Sequence, residues 1–316
     1  MAFNKEMWSE DLAKNVYLQD DWYRIGKNWS DKVLGSIVHI PQAKQGIVPV
    51  KIDGSTTYPI ATQEVSYNDL TFPNEMIVAP PRFITNINAS EATFDTRTAE
   101  MEDITGFLRQ AIATELILTW KPKVTSTGSI TRTTGTSTRE NIYGRANCKA
   151  LTFADILAGR AKLVRSGVSL DNIYILVDPI MYSDLLQMDN FTNADELAIQ
   201  TTNSAFVGVI AGMKVLQLAI GIPYNEDSSG LAEVSVASYT DSYTDAFSTA
   251  LIVDGGKVGY ALGTMENGEI KVGFEPYATG YYNDVLQAHT RVGGSTLYDA
   301  DAASITKGVV AIIEED

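Results

Sequence analysis

The sequence predicts an α+β protein, and three stretches carry that prediction. Asn88–Trp120 reads as one long helix: apolar Met101, Ile104, Leu108, Ala111, Ile112 and Leu116 recur at spacings of three and four, with no proline before Pro122. Ahead of it, two apolar runs flank an Asp53-Gly54 turn, the pattern of a β-ribbon. From Leu151 onwards helical and strand patterns alternate, as in a lobe built on a central sheet.

The first segment, Met1–Asp31, alternates aromatics (Trp8, Tyr17, Trp22, Tyr23, Trp29) with charges. Glu10–Tyr23 has the pattern of an amphipathic helix with Leu12, Val16 and Tyr23 on one side. It is either an arm that buries its aromatics on a partner or a helix docked on its own chain. Val33–Pro81 is the ribbon. Ile37, Val38 and Ile40, then Ile47, Val48, Val50 and Ile52, lead out, and Val65, Tyr67, Leu70 and Phe72 return. Pro49 and Pro59 point to edge or exposed strands. A lone two-stranded ribbon is marginal in water, so this element too looks for a partner.

The long helix has N-cap candidates at Asn88 and Ser90 and acids at Glu91, Asp95, Glu100, Glu102 and Asp103, which suit the positive end of a helix dipole. About 30 residues make a rod of roughly 45 Å. Its polar first half is expected to lie across a surface or against another subunit. Lys121–Arg139 is dense in Thr, Ser and Gly and reads as an extended surface loop. Next comes a helix with Thr152 as N-cap, apolar Phe153, Ile156, Leu157, Ala161, Leu163 and Val164, and Gly167 as stop. A buried strand is expected at Asn172–Val177 and a helix opened by Pro179 at Pro179–Met188. Asn203–Gly212 then reads as a short helix and Met213–Leu218 as a strand. Further strands are expected at Glu233–Ala237, Ala250–Val253, two within Gly268–Thr290, and Gly308–Ile313. The late strands are expected to pair near the long helix.

Composition narrows the function. With 316 residues, 45% of them hydrophobic, the chain can bury a large core and is near the size at which chains divide into lobes. Its 24 basic residues are outnumbered by 39 acidic ones, and the net charge of −15 argues against sequence-specific nucleic-acid binding, which needs a basic patch. A lone cysteine, Cys148, cannot close an intramolecular disulfide and fits a reducing compartment. The N-terminus has no apolar run of the kind a secretory leader carries. The most apolar run, Phe206–Ile222, contains Lys214 and Gln217 and reads as core.

No motif points to an enzyme, a metal or a cofactor. His39 and His289 are far apart in sequence, and one cysteine makes no zinc site. Asn225–Gly230 resembles the front of a calcium loop, but its twelfth position is Val236, where a bidentate Glu is required. Gly255-Gly256-Lys257 lacks the remaining residues of a phosphate-cradling loop. The Gly208–Gly212 pair reads as close packing. Gly293-Gly294-Ser295 is no nucleophile elbow, since Leu297 stands where a second glycine belongs. Asp299 and Asp301 read as a solvated turn.

Three phrases, in order, resemble the major capsid proteins of tailed bacteriophages, the Hong Kong ninety-seven-like fold. SIVHIPQ (36–42) is similar to that family's lead-in to its extended loop. LTFADILAGRAKLVRSGVSLDNIYILVDPIMYSDLL (151–186) resembles its helix, strand and second helix, and VGVIAGMKVLQ (207–217) its turn into a strand. The resemblance implies an N-terminal arm at 1–35, an extended β-hairpin loop at 36–86, a spine helix with the first part of a peripheral domain at 87–149, an axial α/β domain at 150–262, and peripheral-domain return strands at 263–316. It implies a shell protein that self-assembles as pentamers and hexamers around double-stranded phage DNA, in the virion, after assembly in the bacterial cytoplasm. Implied partners are further copies of the chain, a separate scaffolding protein or none, a portal, and optional decoration proteins. No membrane is involved. Subunit contacts are expected at Trp8 and Trp22 in the arm, Ile47, Lys51 and Tyr58 in the loop, and Glu100 and Arg109 on the helix. Lys51 with Asn267 or Asn283 is the one candidate pair for an isopeptide crosslink, without motif support. The competing readings are an encapsulin-like nanocompartment shell, an α/β enzyme with a ribbon dimerisation arm, and an adhesin or tail component.

Overall fold

The computed structural model describes residues 22–32, 37–43, 65–71, 77–85, 96–124, 127–168, 171–193, 206–227, 230–232, 246–262, 272–275, 283–296 and 308–316. Asn88 and Ser90, the Asp53-Gly54 turn and the Glu233–Ala237 strand lie outside the described residues. The first part of the chain runs through β1 (Lys27–Asn28), β2 (Ile37–Ala43), β3 (Val65–Thr71), β4 (Ile77–Thr85), α1 (Thr96–Trp120), β5 (Ile130–Arg132), β6 (Thr138–Arg139) and β7 (Cys148–Lys149). The middle holds α2 (Phe153–Arg165), β8 (Ile173–Val177), α3 (Pro179–Leu186), β9 (Phe191–Asn193), β10 (Phe206–Ile210), β11 (Met213–Gln217), β12 (Asn225–Asp227) and β13 (Gly230–Ala232). The last part holds β14 (Thr249–Asp254), β15 (Val258–Leu262), β16 (Val272–Glu275), β17 (Asn283–Thr290), β18 (Val292–Thr296) and β19 (Val309–Ile313).

A seven-stranded sheet in the order β5-β19-β14-β8-β11-β10-β9 organises the molecule. Its central strands β8, β14 and β19 are apolar on both faces. Ile175, Val215, Ile252 and Ile312 face a core shared with α2 and α3, while Leu176, Leu216, Leu251 and Ala311 face a second core that contains α1. This two-fold alternation between two cores is why NIYILV and GVVAII are continuous apolar runs.

The helix α2 starts where the sequence places it. Thr152 and Asp155 form a reciprocal capping box, and Gly167 follows the helix at φ +81°. Ile156 and Leu163 are buried, but Leu157 and Val164 are 40% and 42% exposed, so with exposed Ala161 three of the six apolar positions face outwards. A helix rich in Ala and Leu has no sharp polar face, and here Gly159 decides the orientation. A Cβ at that position would stand 2.8 Å from Ile252 Cδ1, so the glycine side lies against the sheet.

Three other expectations are corrected. The Thr/Ser/Gly run is no free loop. Ile130–Arg132 is an edge strand paired in parallel with Ala311–Ile313, and Ser129 and Thr133 are buried. β-Branched Thr and Ile suit a strand once a partner edge exists. Nor is Asn203–Gly212 a helix over its described part. Phe206–Ile210 pairs antiparallel with Met213–Gln217 across Ala211 (φ +50°) and Gly212 (φ +77°), the double positive φ of a tight hairpin turn. Gly208 is glycine because a Cβ would stand 2.5 Å from Thr192 O on β9. Finally, the C-terminal strand β19 does not pair in the small sheets packed on the long helix, although its Ala311 face shares that helix's core. It lies between β5 and β14 in the seven-stranded sheet.

The other late strands do pair near the helix. β18 joins β15 and β1 in one three-stranded sheet, and β17 lies between β16 and β4 in another. α1 packs on β18, β4 and β17. Ile104, Leu108, Ala111, Ile112 and Leu116 are buried as expected, but Met101 is 41% exposed, in the polar half of the rod. Gly294 lets the helix touch the sheet, since a Cβ there would stand 2.1 Å from Thr119 Oγ1. In β4, Pro80 and Pro81 stand opposite the single Gln287 at a break in register, a bulge that spares two prolines a ladder bond they cannot make. The base of the ribbon is antiparallel, Ile37↔Thr71 to Ala43↔Val65.

Candidate functional site

Among the described residues the densest polar constellation surrounds Arg139. Its Nε donates to Asp184 Oδ1 at 3.0 Å, Nη2 to Asp184 Oδ2 at 2.6 Å, and Nη1 to Glu314 Oε1 at 2.7 Å. Glu314 Oε2 also accepts from Asn141 Nδ2 (2.8 Å) and from the Ser248 amide (3.1 Å), and Asp184 Oδ2 from the Leu151 amide (3.0 Å). Beside it, Ser248 Oγ donates to Asp178 Oδ2, and Asp178 Oδ1 caps α3 by accepting from the Met181 amide at 2.6 Å. Strand β6, helix α3 and the tail after β19 thus meet on one guanidinium, and Ser248, just before β14, joins through Glu314. The outer tail is held too: Arg145 forks onto Asp316 at 2.9 and 2.6 Å.

The electrostatics describe a lock. Burial lowers the affinity of Arg139 for its proton, but the Asp184 and Glu314 carboxylates outweigh that and hold the guanidinium above its ordinary value. Burial raises the Asp178 carboxyl above its usual range, against the opposing hydrogen bonds from Ser248 and Met181. Burial, then the charges of Glu314 and Asp316, push Cys148 up to about 12, which keeps it a thiol. The Asp316 carboxyl is lowered, chiefly by its bond to Arg145. The guanidinium donors are committed to Asp184 and Glu314, and the second Glu314 oxygen to Asn141 and Ser248, so the arrangement ties distant segments together. No group of three or more candidate metal ligands occurs among the described residues.

The buried Asp178 has a measurable sign. The folded state holds its proton more tightly than the unfolded chain does, so this contribution to stability is present at low pH and lost as pH rises through the raised value. Asp178→Asn keeps the cap, since Asn caps as well as Asp, and removes the titration. The variant's melting temperature relative to wild type should therefore be higher at pH 7 than at pH 4. A pH-independent difference would contradict the assignment.

Of the expected contact residues, Trp22, Glu100 and Arg109 fall among the described residues. Trp8, Ile47, Lys51 and Tyr58 lie outside the described residues, as do Asn267 and the proposed helical arm up to residue 21. Trp22 is fully buried in its own chain, with its ring edge-to-face on Trp120 at 5.3 Å, so it offers no surface to a neighbour. The in-chain docking kept as the alternative describes it. Glu100 is half-buried and Arg109 exposed; nine residues apart on one helix, they fall on opposite sides. The Asn225–Gly230 stretch opens a hairpin, Asp227↔Gly230, and Gly255-Gly256-Lys257 is the turn between β14 and β15. His289 is exposed. Sequence reading missed Arg139, Asp184 and Glu314. Their one local signal is an acid directly after the buried GVVAII run and an Asp inside the apolar α3.

The fold is similar to that of phage capsid chains. The capsid of Ralstonia phage GP4 superposes with a TM-score of 0.69 at 11% identity, covering 100% of this chain and 98% of that one. A chain of Mycobacterium phage Che8 gives 0.58 at 15%, covering 98% and 97%. The capsid of a native GTA particle gives 0.58 at 13%, covering 97% and 94%. No family model and no curated protein matches the sequence.

Proposed function

We propose that this chain is a major capsid protein that assembles as pentamers and hexamers into an icosahedral shell around double-stranded phage DNA. The observation that carries the reading is the end-to-end likeness: the capsid chain of phage GP4 is matched over 98% of its length. In this reading residues 1–35 are the arm, 36–86 the loop laid over a neighbour, and 87–149 the spine helix with the first peripheral part. Residues 150–262, with the tail strand β19, form the axial unit, and the rest of 263–316 returns to the periphery. The negative charge suits a container filled by a motor, since it needs no intrinsic grip on DNA. Assembly takes place in the bacterial cytoplasm, with a portal and a separate scaffold as partners.

The test is to purify the chain alone, measure its mass by light scattering and image it by negative stain. Shells, capsomers or tubes are expected. A monomer or dimer, with and without a co-expressed scaffold, would overturn the reading. Deleting Asp53–Thr62 should leave a folded protein with the wild-type melting temperature that no longer closes shells. Normal particles from that deletion would refute a clasping role for the loop.

A further inference from the structure

Among the described residues, five large apolar side chains are strongly exposed, and three of them, Leu157, Val164 and Leu186, lie on the two helices that cover one face of the seven-stranded sheet. On α2 the exposed positions are Ala154, Leu157, Ala158, Ala161, Val164 and Arg165. At 100° per residue they fill a single arc of about 120° opposite the buried Ile156, Gly159 and Leu163. The arc is flat, because three of the six are Ala, and its only charge is Arg165. Arg160 and Lys162 frame it on either side. The one acid of the helix, Asp155, is buried in the cap. This face is therefore apolar and basic in a chain whose net charge is −15.

The second helix is complementary. Leu186 is 52% exposed at the end of α3, exposed Asp189 follows it, and Pro179–Asn193 contains no Lys or Arg. The two helices also mark opposite halves of the sheet. α2 packs on β19, β5 and β14, whereas α3 leans towards β9 through the edge-to-face pair Tyr182–Phe191 at 6.0 Å. We infer that the outer face of α2 is the docking surface for a second copy of this chain, which seats the Leu186–Asp189 end of its α3 there. Two acidic copies repel across most of their surface, and this pairing sets a basic apolar stripe against an acidic apolar knob. The contact is head-to-tail, of the kind that closes into a ring when copies are related by rotation. It rests on the shell reading for its role, while its geometry stands on these two faces.

Co-expression of a Val164→Cys chain with a differently tagged Leu186→Cys chain, followed by a short bifunctional maleimide, tests it. The native Cys148 is fully buried and stays silent, which the unmodified chain checks. The expected product is a heterodimer band on a denaturing gel that requires both substitutions. Arg165→Glu or Asp189→Lys alone should reduce its yield at least tenfold, and the two reversals on opposite chains should restore it. Shells without the band would overturn the α2–α3 contact and leave the capsid reading standing. The band with no shells, capsomers or tubes, with and without a co-expressed scaffold, would uphold the contact and overturn the capsid reading. A band from two Val164→Cys chains would replace it with a symmetric contact and so overturn it.

Discussion

Arg139→Leu is expected to cost about 3–5 kcal/mol, because it strands Asp184 and Glu314 in the interior with no countercharge. Asp184 is 7% and Glu314 0% exposed, so water cannot replace the guanidinium. The loss should appear as a lower urea midpoint, together with faster amide exchange in the tail after Ile313, since Glu314 holds that tail to Ser248 and Asn141. Arg139→Lys keeps the charge but not the fork, and should lose part of the same free energy. Replacing all three charges by apolar residues rescues some buried ion pairs elsewhere. Here it should not, because the Leu151 and Ser248 amides would lose their acceptors. A triple variant as stable as wild type would show that the charges contribute nothing net.

The same cluster shows where sequence reading stops. The starts of α2 and α3 were legible because their signals are local: Thr152 caps α2 together with Asp155, three residues on, and Pro179 stands in the first turn of α3. The stripe of α1 was legible because its period is local. Ile130–Arg132 was not. Its strand character comes from β19, about 180 residues later, and one isoleucine among threonines carries no period. Phe206–Ile210 is a short apolar run in which helix and strand patterns coincide, and positive φ at Ala211 and Gly212 decided between them. Arg139 finds its acids 45 and 175 residues away, so no spacing rule could have joined them. The order of elements was more informative than any motif, because chain order survives where residue identity does not: the GP4 capsid chain has a similar fold at 11% identity.

Trp22→Ala should destabilise the isolated subunit by about 3–5 kcal/mol, the cost of emptying a large aromatic site in a core. Trp22 lies in the one-turn 3-10 helix Trp22–Ile25, which docks on the C-terminal end of α1. Its ring meets Trp120 at 87°, and Tyr23 meets Tyr260 at 85° and 5.2 Å. Trp120 in turn donates Nε1–H to Gly259 O at 3.1 Å and rests on Gly26, where a Cβ would come within 2.8 Å of the indole. Because the two indoles share one site, Trp22→Ala and Trp120→Ala together should cost less than the sum of the single losses. The two homes for the arm differ in one observable. If Trp22 belonged to a neighbour's surface, its loss would weaken assembly and the urea midpoint of the wild type would rise with protein concentration. As an in-chain core residue, it should lower the midpoint by the same amount at concentrations roughly a hundredfold apart. A concentration-dependent difference would return Trp22 to the subunit interface.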